Sequence, residues 1–333
     1  MINATTVKDN TLSQTKEMLR HEILRRGWEL WFYDLSYPQM RVRRSDGKVL
    51  ELYGSTPPTT SYAAGLTADN KLISSILHAE AGLPVPETFA LSSTDDGKAI
   101  ASQLLDDEKK IVVKPLDAAH GNGVSVGIET LESFEQAVEV AREFSSTVII
   151  QEHLVQSYDV RLLCIDYTFV AGLLRLPASV VGDGKQSVDQ LIAHENTDER
   201  RGVNYAKELN VINIDHAKRF LGKRMHDTPP AGKRVQVVGT ANVGTGGSTK
   251  DISRTTPAWL TAMAEQAARA SRLPCCGVDF LLNSEPSAQA TEAELQPKLL
   301  EINKSPSLFI HETPTEGESM PVIKQYVDYL ASL

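Results

Sequence analysis

No apolar run in this chain approaches the ~18 residues of a membrane-crossing helix, and its first residues lack the apolar stretch of a secretory leader. Cysteine is scarce. Cys164, Cys275 and Cys276 are the whole set, too few and too unevenly spaced for a disulfide framework or a zinc site. They read as buried thiols of a reducing compartment, so a cytoplasmic protein is expected. A basic excess is also missing: 34 Lys and Arg against 43 Asp and Glu leave a net charge of −9. That argues against a general nucleic-acid surface. Internal repeats and heptads are absent, which removes solenoids and coiled coils. What is present is an ordinary globular composition, 41% hydrophobic and 23% charged over 333 residues. That length suits about two domains.

Thr11 to Gly27 has helical spacing, with Thr11 and Gln14 placed for a capping box. Glu29 to Tyr33 reads as a strand, and Asp46-Gly47 joins two more in a hairpin. Gly54 to Ser61, with Pro57 and Pro58, reads as a linker. Strands and helices then alternate. Thr67 to Ala81 is expected as one helix, Ile111 to Pro115 and Val124 to Ile128 as strands, and Thr130 to Phe144 as a helix. Thr147 to Gln151 is a buried strand. Val160 to Ile165 and Thr168 to Leu174 make a hairpin through Asp166. Ser187 and Gln190 cap a short helix, whereas Glu195 to Gly247 has weak periodicity and reads as loops. Gly277 to Leu282 and Lys298 to Asn303 are strands, and Pro321 opens a closing helix.

Three constellations can carry chemistry. In the first, Lys114 leaves a strand ahead of the turn His120-Gly121-Asn122-Gly123-Val124. Two glycines allow successive N–H groups to face an anion, and the lysine adds a charge for phosphate oxygens. No GK[ST] follows, so this is no P-loop, and the third glycine of a dinucleotide fingerprint is missing. An ordinary hairpin turn beside a surface lysine is the alternative. In the second, Asp279 lies in one strand, and Glu301 and Asn303 share one face of another because strand side chains alternate. Two carboxylates and an amide oxygen are a hard-oxygen set suited to Mg²⁺. A solvated sheet face is the alternative. In the third, the buried strand ending in Glu152-His153-Leu154 could offer edge groups to a purine, with Asp159 for ribose hydroxyls. Taken alone, these residues read first as a strand-ending surface loop.

The ordered set resembles the ATP-grasp superfamily of carboxylate–amine ligases. The similarity is nearest to the ligase part of bifunctional glutathione synthetases and to the ATP-grasp module of cyanophycin synthetase. It rests on Thr67 to Lys71, Gly82 to Pro86, Val112 to Pro115 with Gly123-Val124, and Arg175 to Ala178. Val181 to Lys185, Asn242 to Gly247, Cys276 to Asp279 and Glu301 to Pro306 complete it, so it covers residues 66–331. The resemblance implies an α/β (α+β) ATP-grasp fold, with ATP between antiparallel sheets. It divides the chain into a small N-terminal unit, 1–65, an N-lobe, 66–154, and a C-lobe with the metal and substrate site, 155–333.

The same resemblance implies site residues. Lys71, Lys114 and the turn from His120 to Val124 would hold phosphates. Glu152, His153 and Leu154 would frame adenine, and Asp159 the ribose. Asp279, Glu301 and Asn303 would hold Mg²⁺, with Mn²⁺ as a substitute. Arg161, Arg175, Asn242, Gly246 and Gly247 would serve the acyl transfer. Relatives often carry a basic residue where this chain has Val238, so Arg175 or Lys185 would take that role. The implied reaction is ADP-forming amide synthesis through an acyl phosphate. A polymerising ligase and a non-catalytic ATP-binding regulator are the alternatives. The expected partners are amino acids or peptides, with a homodimer compatible and neither nucleic acid nor membrane. The Asn242 to Gly247 loop is expected to hold little core surface and to order around its ligand.

Overall fold

The computed structural model describes residues 1–9, 11–107, 109–116, 123–154, 158–203 and 206–333. Its main sheet has five antiparallel strands. They run in the order Ser248–Asp251, Thr168–Leu176, Tyr158–Ile165, Cys275–Leu282 and Lys298–Asn303. Asp166 and Tyr167 reverse the hairpin with φ of 51° and 60°. Such positive values match the twist of the strands they join.

Alternation gives this sheet two unlike faces. Val160, Leu162 and Cys164 point to one side with Cys276, Val278 and Phe280. They bury against the helix Ala258–Ala270 through Leu260, Ala264, Ala267 and Ala268. The other face changes character along its length. Near the hairpin it is apolar, with Leu163, Ile165, Ala171 and Cys275 in a core shared with the N-terminal unit and the helix Val322–Ser332. Beyond that cover the same face carries Asp159, Arg161, Arg175, Asp279 and Glu301, in register across neighbouring strands.

A second antiparallel sheet runs Thr88–Leu91, Val148–Glu152, Ile111–Pro115, Ser125–Ile128. Ile111 and Val113 bury against the helices Lys98–Asp106 and Leu131–Arg142. Period two then sends Lys114 to the opposite face. The N-terminal unit is a four-stranded sheet, Ile2–Asn3, Glu29–Phe32, Gln39–Arg43 and Val49–Tyr53, packed on the helix Gln14–Arg25.

Four expectations need correction. The helix expected over Thr67 to Ala81 is two helices, Tyr62–Asp69 and Lys71–Glu80. Asn70 breaks it, because its side chain takes the Ile73 amide as a cap in place of a continued turn. The first helix starts after Ser13, and the Thr11 hydroxyl bonds the Lys8 carbonyl, so no Thr11–Gln14 box forms. Gly54 to Ser61 is no free linker. Ser55 and Thr56 donate to the carbonyls of Pro306 and Lys304 at 2.6 and 3.0 Å. Finally, Glu195 to Gly247 is not merely loop. Helices Val188–Glu195 and Ile214–Leu221 enclose a separate core with Ile212, Met225, Val237 and Val238. Its apolar residues come from scattered turns, so no local period announces them.

Candidate active site

The exposed end of the main sheet presents a dense charge cluster. Arg161 grips Asp279 with two hydrogen bonds, from Nε to Oδ1 at 2.7 Å and from Nη2 to Oδ2 at 2.6 Å. The register places these residues opposite one another. Arg175 donates to Asp279 Oδ2 at 2.9 Å and to Asp159 Oδ1 at 2.5 Å. Asp279 is only 1% exposed. Its burial alone would raise its carboxyl, but the two guanidinium groups prevail and hold it below the usual range. Burial wins at Asp159 and pushes it up to about 6 despite Arg175. Gly277 leaves little room beside them. A Cβ there would lie 3.2 Å from Arg161 Cδ and 3.4 Å from the Pro306 ring.

Asn303 closes the carboxylate set. Its Nδ2 donates to Asp279 Oδ2 at 3.2 Å and to Glu301 Oε1 at 3.4 Å, so all three side chains converge. Two carboxylates and an amide could supply hard oxygen donors to a divalent cation such as Mg²⁺ once the Asn303 amide turns Oδ1 inward in place of Nδ2. Asp279 would share its oxygens with two arginines. Glu301 is half-buried and has no arginine hydrogen bond among the described residues, which leaves it the freest ligand.

Two lysines lie near this cluster, Lys114 on the second sheet and Lys71 at the start of the helix Lys71–Glu80. Lys114 Nζ donates to Gln151 Oε1 at 2.8 Å, and Lys71 Nζ to the Leu116 carbonyl at 3.3 Å. Burial pushes Lys114 down to about 8; Glu301 opposes that shift and Lys71 adds to it. The two lysines and Glu301 therefore lie within electrostatic reach of each other. Sequence reading missed Gln151, whose place next to Lys114 follows only from strand pairing.

Of the glycine turn, His120, Gly121 and Asn122 lie outside the described residues. Gly123 has φ +69° and packs against Pro115 and Phe144, and Val124 is exposed. At the sheet's end, the Glu152 and His153 amides bond the Glu87 and Lys110 carbonyls at 3.1 and 2.8 Å. Glu152 also lies 3.8 Å from Lys298 of the main sheet. Leu154 follows directly, half-buried.

Asn242 to Gly247 forms a closed turn beside Arg175, whose strand pairs Leu176 with Ser248. The Asn242 side chain takes the Gly244 amide at 2.8 Å. Thr245 and Gly247 amides both reach the Asn242 carbonyl at 3.1 Å. Val243 and Thr245 are buried, so the expectation of little core surface is corrected. A Cβ on Gly246 would stand 2.5 Å from Ile212 Cα. Arg201 fastens the turn from below. This buried arginine donates to the carbonyls of Gly246 and Asn210 at 3.1 and 2.7 Å and pairs with Glu195 at 2.9 Å. The sequence reads Arg200-Arg201 as a solvated charge pair, with binding of an acidic substrate as the alternative; Arg200 is exposed and bonded to Asp198. Val238 is buried in the Ile212–Val237 core and Lys185 is exposed.

Comparisons with known proteins bear on the fold. Residues 84–190 match the ATP-grasp domain of prokaryotic glutathione synthetase. That span contains Lys114, Asp159, Arg161 and Arg175 but not the Asp279–Asn303 set. The glutathione biosynthesis bifunctional protein GshAB of Streptococcus thermophilus is 27% identical over 320 residues, 94% of this chain and 42% of the relative. Its counterpart from Clostridium perfringens is 27% identical over 96% of this chain and 41% of the relative. The chain thus spans less than half the length of these relatives. A crystal structure of a bifunctional glutathione synthetase from Pasteurella multocida superposes on 97% of this chain and 44% of its own, with TM-score 0.69 and 23% identity. The chain has the ATP-grasp fold and resembles, along nearly its whole length, the bifunctional glutathione synthetases.

Proposed function

We propose that this chain is an ATP-dependent carboxylate–amine ligase that forms a peptide-like amide through an acyl phosphate and releases ADP and phosphate. The observation that carries this reading is the meeting of two charged faces. Lys71 and Lys114 of one lobe stand opposite the Arg161–Arg175–Asp279–Glu301 cluster of the other, with Glu301 acting on both Lys114 and Arg175. We assign residues 66–154 to the phosphate-gripping lobe, 155–333 to the lobe with the metal and substrate side, and 1–65 to a unit that buttresses it.

A carboxylate is a poor electrophile, so its oxygen first attacks the γ-phosphorus of ATP. Lys114 and Lys71 spread the charge of that transfer. Glu301, Asn303 and Asp279 would hold Mg²⁺, which would supply further charge neutralisation on phosphate oxygens. Glu152 to Leu154 would take the base, and Asp159, shared with Arg175, the ribose. Arg161 and Arg175 hold the acid substrate and then stabilise the oxyanion formed when the amine attacks. Asn242, Gly246 and Gly247 border that point. No side-chain nucleophile is used. The cysteines are fully buried, and burial pushes the Cys275 and Cys276 thiols up, away from the reactive thiolate.

The first substrate panel is a matrix of amino acids, dipeptides and thiols. Nucleotide analysis after incubation with ATP and Mg²⁺ across that panel tests the reading. ADP with inorganic phosphate is expected; AMP with pyrophosphate would exclude the acyl-phosphate route.

A further inference from the structure

Lys304 directly follows Asn303 at the end of the strand that carries Glu301, and the reaction above gives it no role. Its backbone is fixed from the N-terminal side. Thr56 donates to the Lys304 carbonyl at 3.0 Å, and Ser55 to the Pro306 carbonyl at 2.6 Å. The Lys304 side chain then leaves the sheet and crosses to the helix Tyr62–Asp69. There Nζ donates to the Gly65 carbonyl at 3.3 Å and forms an ion pair with Asp69. The stem lies along the same helix: a Cβ on Gly65 would stand 3.6 Å from Lys304 Cδ.

Asp69 sits at the break between two helices. Asn70 caps the second one by taking the Ile73 amide at 3.0 Å, and Lys71 opens it. Lys71 Nζ reaches the Leu116 carbonyl at 3.3 Å, just past the strand of Lys114. Two short runs of chain thus meet. One carries Glu301, Asn303 and Lys304, and the other carries Asp69, the Asn70 cap and Lys71. The Lys304–Asp69 pair joins them. The far end of the second helix is fastened separately, His78 Nε2 lying 2.8 Å from Ser271 Oγ, so the Lys304 link acts on its first turn. An ion pair as exposed as this one adds little to the stability of a fold. What it does set is the place of that first turn.

We propose that Lys304 is a positioning residue for the nucleotide. By clasping Asp69 it holds the first turn of the helix Lys71–Glu80 at a fixed separation from Glu301 and Asn303, so that Lys71 and those two residues meet one triphosphate together. In this role Lys304 contacts neither phosphate nor metal and acts through Asp69. The physical content is preorganisation: ordering a helix end and a lysine only when the ligand arrives weakens binding by the cost of that ordering. This assignment rests on the ATP-dependent reading above and adds a residue outside the charged cluster to it.

Calorimetric titration with ATP and Mg²⁺, without acid or amine, tests it. Lys304→Met keeps a stem along Gly65 and removes the charge, and Asp69→Asn keeps the shape of the partner. Each should weaken ATP binding about fivefold, the upper range for an exposed ion pair. The double variant Lys304→Met with Asp69→Asn should bind no more weakly than either single one, because both remove the same link. Exchanging the charges, Lys304→Asp with Asp69→Lys, should return the affinity to within about twofold of the parent. Melting temperatures should stay within about 3 °C of the parent, because the two side chains are 30% and 58% exposed. Unchanged ATP affinity in both single variants would overturn the proposal. Additive losses in the double variant, or an exchanged pair as weak as the single ones, would do so equally. So would a larger fall in melting temperature, which would make the link a part of the core. A parent that binds no ATP removes the nucleotide reading itself, and this role with it.

Discussion

Asp279 and Glu301 are both expected to ligate metal, yet the structure separates them energetically. Asp279 is 1% exposed and takes three arginine hydrogen bonds of 2.6–2.9 Å. Asp279→Asn keeps the shape and removes the charge. Two guanidinium groups then remain with only Asp159 and Glu301 to balance them. Breaking a buried pair this way costs about 3–5 kcal/mol, and the two remaining carboxylates place this site at the lower end, ~3 kcal/mol. With a urea dependence of about 3 kcal/mol per M, the unfolding midpoint falls by about 1 M. Glu301→Ala removes a half-buried group whose partner is Asn303 at 3.4 Å. Its stability cost is within about 0.5–1 kcal/mol, so its midpoint moves by roughly 0.3 M at most. Turnover at saturating Mg²⁺ should collapse in both. Urea melts of the parent and two variants, followed by intrinsic fluorescence, measure the difference. Equal midpoint shifts would refute the distinction, and a Glu301→Ala enzyme within a few-fold of parental turnover would remove its metal role.

Two further outcomes concern stability. Gly246 has φ +98° and its Cβ would meet the Ile212 backbone at 2.5 Å, so Gly246→Val should cost at least about 1–3 kcal/mol. The protein should melt several degrees lower as well as lose turnover; an unchanged melting temperature would show that the turn yields freely. His78 and His311 are buried neutral, and burial holds them down to about 4 and about 3. Their folded values lie below the unfolded one near 6.5, so their contribution is complete above that pH and is lost as acid approaches the folded values. Each adds a slope of about 1.4 kcal/mol per pH unit in that window. Urea midpoints should therefore fall between pH 6.5 and 4.5, and less steeply in His78→Gln. Parallel curves for the two proteins would rule out His78 as a source.

Local pattern alone determined most of the elements. The strands around Lys114, Asp279 and Glu301, the Ser187–Gln190 capping box and the Asp166 reversal follow from period two, a cap pair and a short turn. Period two also placed Glu301 and Asn303 on one face, which is why the meeting of these two side chains was legible from the sequence. Tertiary structure decided what that face meets. That Asp279 is clasped by Arg161 and Arg175 depends on the register of a hairpin against a strand more than 100 residues further along the chain. No sequence window spans such a pairing. Arg201 shows the same limit: beside Arg200 it looks solvated, but folding buries it under Gly246, because burial is set by distant elements and not by neighbours in the chain. His311 shows it most clearly. Its residue type alone does not fix its exposure, and only packing enclosed the ring and left both nitrogens without a hydrogen bond.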